Sequence, residues 1–99
     1  MFRKILSIQK SDKYRTDRWL NPSEAGIIYS IAQTEKPKIV YECGTANGFS
    51  ACIFACTGAK VYTYDIADRI KVWKEEKLVK LEEQIVSYTK SFEQIERVN

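Results

Sequence analysis

The sequence predicts an α/β fold: an incomplete, doubly wound parallel sheet of about three strands with flanking helices. Three observations point there. A short apolar run, Ile39–Tyr41, ends in an acid, Glu42. Two glycines follow, Gly44 and Gly48, with only small or polar residues between them. A second apolar run, Val61–Tyr64, ends in another acid, Asp65, 21 residues after Gly44. Strand, glycine turn, helix, strand and terminal acid are what a nucleoside cofactor needs. The turn lets the backbone approach the ligand, and the second acid reaches a ribose.

Taken in chain order, residues 1–20 mix basic and aromatic side chains without a clean period. They read as a loosely attached arm, with Leu6, Tyr14, Trp19 and Leu20 able to dock onto the body. Residues 21–99 read as one partial domain. Asn21-Pro22-Ser23-Glu24 is a helix start: Asn21 caps, Pro22 suits the first helical position, and Glu24 favours the positive end of the dipole. Ile27, Ile28, Ile31 and Ala32 follow at helical spacing. The helix, expected over Pro22–Gln33, should end before Lys36-Pro37, because the residue preceding a proline avoids the helical region.

Ile39–Tyr41 is nearly continuous in apolar character, which suits a strand buried on both faces of a parallel sheet. Gly44 to Gly48 is the turn. Phe49 to Cys56 is a helix, with Ser50 near its start and Gly58 as terminator. Val61–Tyr64, rich in β-branched and aromatic residues, is the second strand. The intervening helix makes a right-handed βαβ unit. After Asp65 the chain is strongly charged, and Ile70, Trp73, Leu78, Leu81 and Ile85 mark one side of a helix-containing connection. Its lysines and glutamates are a solvated face. Gln84–Thr89 alternates well enough for a third strand, and Ser91 and Phe92 follow it.

Composition excludes several classes of function. A chain of 99 residues is one domain at most, short for a complete doubly wound sheet. A net charge of +3, from 16 basic and 13 acidic residues, is too scattered for a nucleic-acid stripe, so nucleic acid is not an expected partner. Only Arg3, Lys4, Lys10, Lys13, Arg15 and Arg18 come near one. No apolar run is long enough to span a membrane, and the start has no signal-peptide core, so a cytoplasmic location is expected. Three cysteines and no histidine fit a reducing compartment. Cys43, Cys52 and Cys56 lack the histidine of a usual zinc set and read as core residues, so no metal is expected. Without histidine there is no Ser-His or Cys-His pair, and no catalytic residue stands out.

The spacing of the turn discriminates between cofactors. A dinucleotide fingerprint requires G-x-G-x-x-G. Here Ala46 stands where the second glycine should be, and the turn is E-x-G-x-x-x-G. This resembles the first motif of class I S-adenosylmethionine-dependent methyltransferases. Pro37-Lys38-Ile39-Val40-Tyr41-Glu42-Cys43-Gly44-Thr45-Ala46-Asn47-Gly48-Phe49-Ser50-Ala51 is especially similar to small-molecule O-methyltransferase-like members. The resemblance covers residues 20–92 and is most specific from Lys38 to Asp65.

It implies a Rossmann-like fold, S-adenosylmethionine as cofactor, and methyl transfer to an oxygen or nitrogen of a small molecule or sugar. It also implies roles. The backbone of Gly44, Thr45 and Gly48 would pass close to the methionine part of the cofactor. Glu42 would orient the turn and approach the cofactor's ammonium group. Ser50 would lie near the helix start at the site, and Asp65 would accept from both ribose hydroxyls. Ile66, Ser91 and Phe92 would lie against the adenine. Two alternatives stand beside this: a non-catalytic cofactor-binding remnant or partner subunit, and a dinucleotide-binding domain of an oxidoreductase.

The chain supplies only the N-terminal half of such a fold. Its first strand should therefore lie at an open edge, with unpaired backbone groups and exposed apolar faces. A second copy or a complementing chain is the expected partner along that edge.

Overall fold

A computed structural model describes residues 1–14, 21–66 and 71–89 of the chain. The first helix, α1, spans Phe2–Gln9, and a short 3-10 helix follows over Asp12–Tyr14. A loose arm was expected here, but the segment is packed into the body. Ile5 is 1% exposed and Tyr14 2%. The Tyr14 ring meets Phe49 edge-on at 5.4 Å between centroids, and its hydroxyl donates to Glu76 at 3.2 Å. Trp19 and Leu20 lie outside the described residues.

Helix α2 spans Pro22–Glu35 and starts as its sequence dictates: the Asn21 side chain accepts from the Glu24 N–H at 2.9 Å. It runs two residues past Gln33 because Lys36 adopts a left-handed conformation, φ 47, whose N–H closes the last turn on Ala32. Ala25 and Ala32 are buried where α2 packs on the third helix, α3, Phe49–Cys56.

Three parallel strands follow the expected order: β1, Ile39–Cys43; β2, Lys60–Asp65; β3, Ile85–Thr89. The sheet order is β1-β2-β3, which leaves β1 at an edge. The chain moves across the sheet in one direction, and right-handed crossovers then put both connections on the same face. On that face the register aligns Val40, Val61 and Ile85, and next to them Glu42, Thr63 and Ser87. Helix α3 lies there with Ala51, Cys52 and Ile53 fully buried. Burying a side chain such as Ile53 stabilises the fold by about 2 kcal/mol.

The opposite face carries no helix among the described residues. It aligns Tyr41 with Tyr62 and Val86, and Cys43 with Tyr64 and Tyr88. Tyr41 stacks on Tyr62 and Tyr64 on Tyr88, at 5.3 and 4.9 Å between centroids. The apolar run suits burial on both faces, whereas half a fold leaves the first strand at an edge; the edge prevails, with Ile39 53% exposed and Tyr41 71%. The reason is topological: among the described residues β1 is an edge strand and nothing covers its outer face.

The charged connection resolves into two short helices, α4, Val72–Glu75, and α5, Val79–Gln84. A left-handed Lys77, φ 55, separates them. Trp73, Leu78 and Leu81 turn inward to the core while the lysines and glutamates face solvent, with Lys71 the buried exception. Cys52 is buried, Cys56 half-buried, and burial pushes both thiols up, as fits cysteines that act as small apolar groups; Cys43, also expected in the core, is exposed because it ends the edge strand on its outer face. Among the described residues no helix is long and apolar enough to cross a membrane. Nor do they hold a group of three or more His, Cys, Asp or Glu arranged for a metal.

Candidate functional site

The carboxyl ends of β1 and β2 place Glu42 and Asp65 on either side of the glycine turn. The turn begins where the parallel ladder ends: the Gly44 N–H donates to the Tyr64 carbonyl at 2.7 Å. From there the backbone goes left-handed three times, at Gly44 (φ 88), Ala46 (φ 48) and Gly48 (φ 92). The Gly48 N–H returns to the Thr45 carbonyl at 2.9 Å, and α3 starts at once.

The two glycines are needed for different reasons. A Cβ on Gly44 would meet nothing within 4 Å, so that position needs only the left-handed backbone, and its outer side is open. A Cβ on Gly48 would collide with the six-membered ring of Trp73. Gly48 therefore makes room for an indole that is itself 1% exposed.

Beneath the turn lies a chain of hydroxyls ending on Glu42. Thr63 Oγ1 donates to one carboxylate oxygen of Glu42 at 2.7 Å, and Ser50 Oγ donates to the other. Thr45 Oγ1 lies 2.6 Å from Thr63 Oγ1. The single Thr63 proton goes to Glu42, so Thr45 is the donor in that pair. Thr45 and Thr63 are 2% and 0% exposed. Burial raises the Glu42 pKa above the usual carboxylate range; the two hydroxyl bonds pull it down and the charge of Asp65 adds to the rise.

Asp65 braces the turn from the other side. Its Oδ2 accepts the Ala46 N–H at 2.9 Å, so the left-handed residue is held by the acid that ends β2. The next residue, Asn47, is held by two further segments. Its carbonyl accepts the Val72 N–H at 2.9 Å, and its amide donates to the Tyr14 carbonyl at 3.4 Å.

Six residues proposed from the sequence thus come together: Glu42, Gly44, Thr45, Gly48, Ser50 and Asp65. Ile66 follows Asp65 and is 61% exposed. Ser91 and Phe92 lie outside the described residues. Thr63, Ala46, Asn47, Trp73 and Tyr14 also shape the site, and sequence reasoning missed them in that role. Only Thr63 had a usable signal: it sits two residues before the terminal acid of a strand that must pair with the one bearing Glu42.

The fold is shared with solved structures. One is the crystal structure of a "putative O-methyltransferase" from Klebsiella pneumoniae, with a TM-score of 0.63 at 13% identity. The match covers 94% of this chain and 44% of that one. The chain thus spans less than half the length of this structural neighbour. No family model and no curated protein matches the sequence.

Proposed function

We propose that this chain binds S-adenosylmethionine at the turn between Glu42 and Asp65. It would be the cofactor-binding part of a methyltransferase acting on an oxygen or nitrogen of a small molecule or sugar. The observation that carries the reading is the braced turn: two strand-end acids flank a left-handed loop that leads directly into a helix. A loop of this kind, with its Gly44, Ala46 and Gly48 N–H groups already bonded internally, offers a ligand a rigid surface on the open Gly44 side with little reorganisation.

The residues present fit the cofactor on one side of the turn. The outer side of Gly44 is open, whereas that of Gly48 is filled by Trp73. The methionine part would therefore run along Gly44 and Thr45. Glu42, half-buried and fixed by Ser50 and Thr63, would offer its charge to the ammonium group, directly or through water. A carboxylate has about four lone-pair sites, so Asp65 can brace Ala46 and accept from ribose hydroxyls as well. Ile66 is an exposed apolar group beside Asp65, suited to lie against adenine. Ser91 and Phe92 keep the adenine role by resemblance alone. When bound, the cofactor supplies a methyl group activated by its sulfonium. No acceptor-activating residue is assigned, and methyl transfer depends mainly on holding the acceptor in line. Three free thiols fit a cytoplasmic location.

The match to less than half of its structural neighbour favours a second reading, a cofactor-binding unit without turnover of its own. Incubation with methyl-labelled cofactor and an acceptor panel distinguishes the two: transfer supports the enzyme, and binding without transfer supports the unit. Calorimetric titration with S-adenosylhomocysteine and with a nicotinamide dinucleotide tests the shared premise. Binding of the homocysteine nucleoside alone is expected; binding of the dinucleotide alone would overturn it.

A further inference from the structure

Among the described residues β1 has a neighbour on one side only, and its open edge has a definite parity. The Lys60 N–H donates to the Lys38 carbonyl at 2.8 Å, and the Gly44 N–H donates to Tyr64. Even-numbered residues of this strand therefore point their backbone groups at β2. By alternation, the N–H and C=O groups of Ile39, Tyr41 and Cys43 point out of the sheet. These same residues carry side chains on the tyrosine face, and Ile39 and Tyr41 are among the most exposed apolar groups of the described residues. The strand contains no proline and no outward-facing charge, the usual devices that blunt an edge.

From these features we infer that the chain self-associates through β1, pairing with a second copy antiparallel about a two-fold axis at Tyr41. The parity fits. In an antiparallel pair centred there, Tyr41 exchanges N–H and C=O bonds with Tyr41 of the second copy, and Ile39 does so with Cys43. All three outward pairs of backbone groups are satisfied. The Tyr62–Tyr41 stack continues into its symmetry mate, giving an aromatic row across the joined sheets.

A parallel pairing of two copies is excluded on geometry. An exact two-fold along the strands sets like groups opposite like, carbonyl against carbonyl. Charge also favours the antiparallel arrangement. The entry to β1 is basic, with Lys36 and Lys38 exposed. Antiparallel pairing keeps the two basic entries at opposite ends of the joint, where a parallel pair would set them side by side. The same register places Lys38 of the second copy opposite Gly44, so each copy adds an ammonium group at the rim of the other's turn.

The test begins with sedimentation equilibrium of the full chain over a wide concentration range. A dimer is expected. Tyr41→Pro removes only an outward N–H and no internal ladder bond, which an edge position tolerates. It should weaken association at least tenfold, while Tyr41→Thr, which keeps the N–H, should weaken it far less. The register is tested by Ile39→Cys under mild oxidation. Directly opposed residues in such a pair have Cα atoms about 5.5 Å apart, within disulfide range, whereas positions 39 and 43 of one strand are about 13 Å apart. A covalent dimer through Cys43 is therefore expected, lost when Tyr41→Pro is added. A monomer at all concentrations would overturn the inference and leave the edge to a different α/β chain. So would a dimer that is indifferent to Tyr41→Pro, because its contact would lie on another surface.

Discussion

Gly44 and Gly48 look equivalent in the sequence and are not. Both are left-handed, so an alanine at either costs about 1–2 kcal/mol in backbone strain. Only at Gly48 must a methyl group also displace a buried indole, which adds about 1–3 kcal/mol of overpacking. Urea denaturation should therefore show Gly48→Ala as clearly the more destabilising, and equal losses would mean that Trp73 does not pack as described. Glu42 makes a prediction about pH. Its folded pKa lies above the ordinary 4.5, so within that interval the native state keeps a proton that the unfolded chain has released. Stability contributed at this site must then fall as pH rises through the interval, and the penalty is complete above it. Glu42→Gln does not titrate. Its stability relative to wild type should improve between acidic and neutral pH, and a difference that is flat with pH would contradict the buried carboxylate.

The elements were legible from the sequence wherever the signal is local. The Asn21 cap, the helix that starts at Phe49 and the third strand all rest on residues that act within a turn or two of themselves. The N-terminal segment was not legible, because α1 has no side-chain cap and its fit depends on distant groups. Tyr14 is the clearest case: it reaches Glu76 across 62 residues of sequence. Burial, with help from the Glu76 charge, pushes its hydroxyl up to about 12 from an ordinary 10.0. Above pH 10.0 the unfolded chain releases this proton while the native state holds it, so stability falls as pH rises toward about 12. Tyr14→Phe should lose about 1 kcal/mol near neutral pH, and its deficit should shrink in alkaline solution. A deficit constant from pH 8 to pH 11, by thermal melts, would show the hydroxyl to be solvated.

At the scale of the molecule, the sequence spacing announced the turn but not what holds it. Three separate parts of the chain converge on five residues: the 3-10 helix through Tyr14, β2 through Thr63 and Asp65, and the start of α4 through Val72 and Trp73. That convergence depends on sheet register and on long-range packing, which no spacing rule encodes. It also explains why a sheet with no helix on one face among the described residues keeps a well-defined loop at its carboxyl edge. The loop is fixed from the helix-covered side, and the side chains of the tyrosine face play no part in it. The most direct test is a nitrogen–proton correlation spectrum of the labelled chain titrated with S-adenosylhomocysteine. Saturable shifts are expected at Gly44, Thr45, Ala46 and Ile66, and little change at Tyr88 or Lys4. A spectrum in which those turn amides stay still while the nucleoside binds elsewhere, or does not bind at all, would contradict binding at the turn.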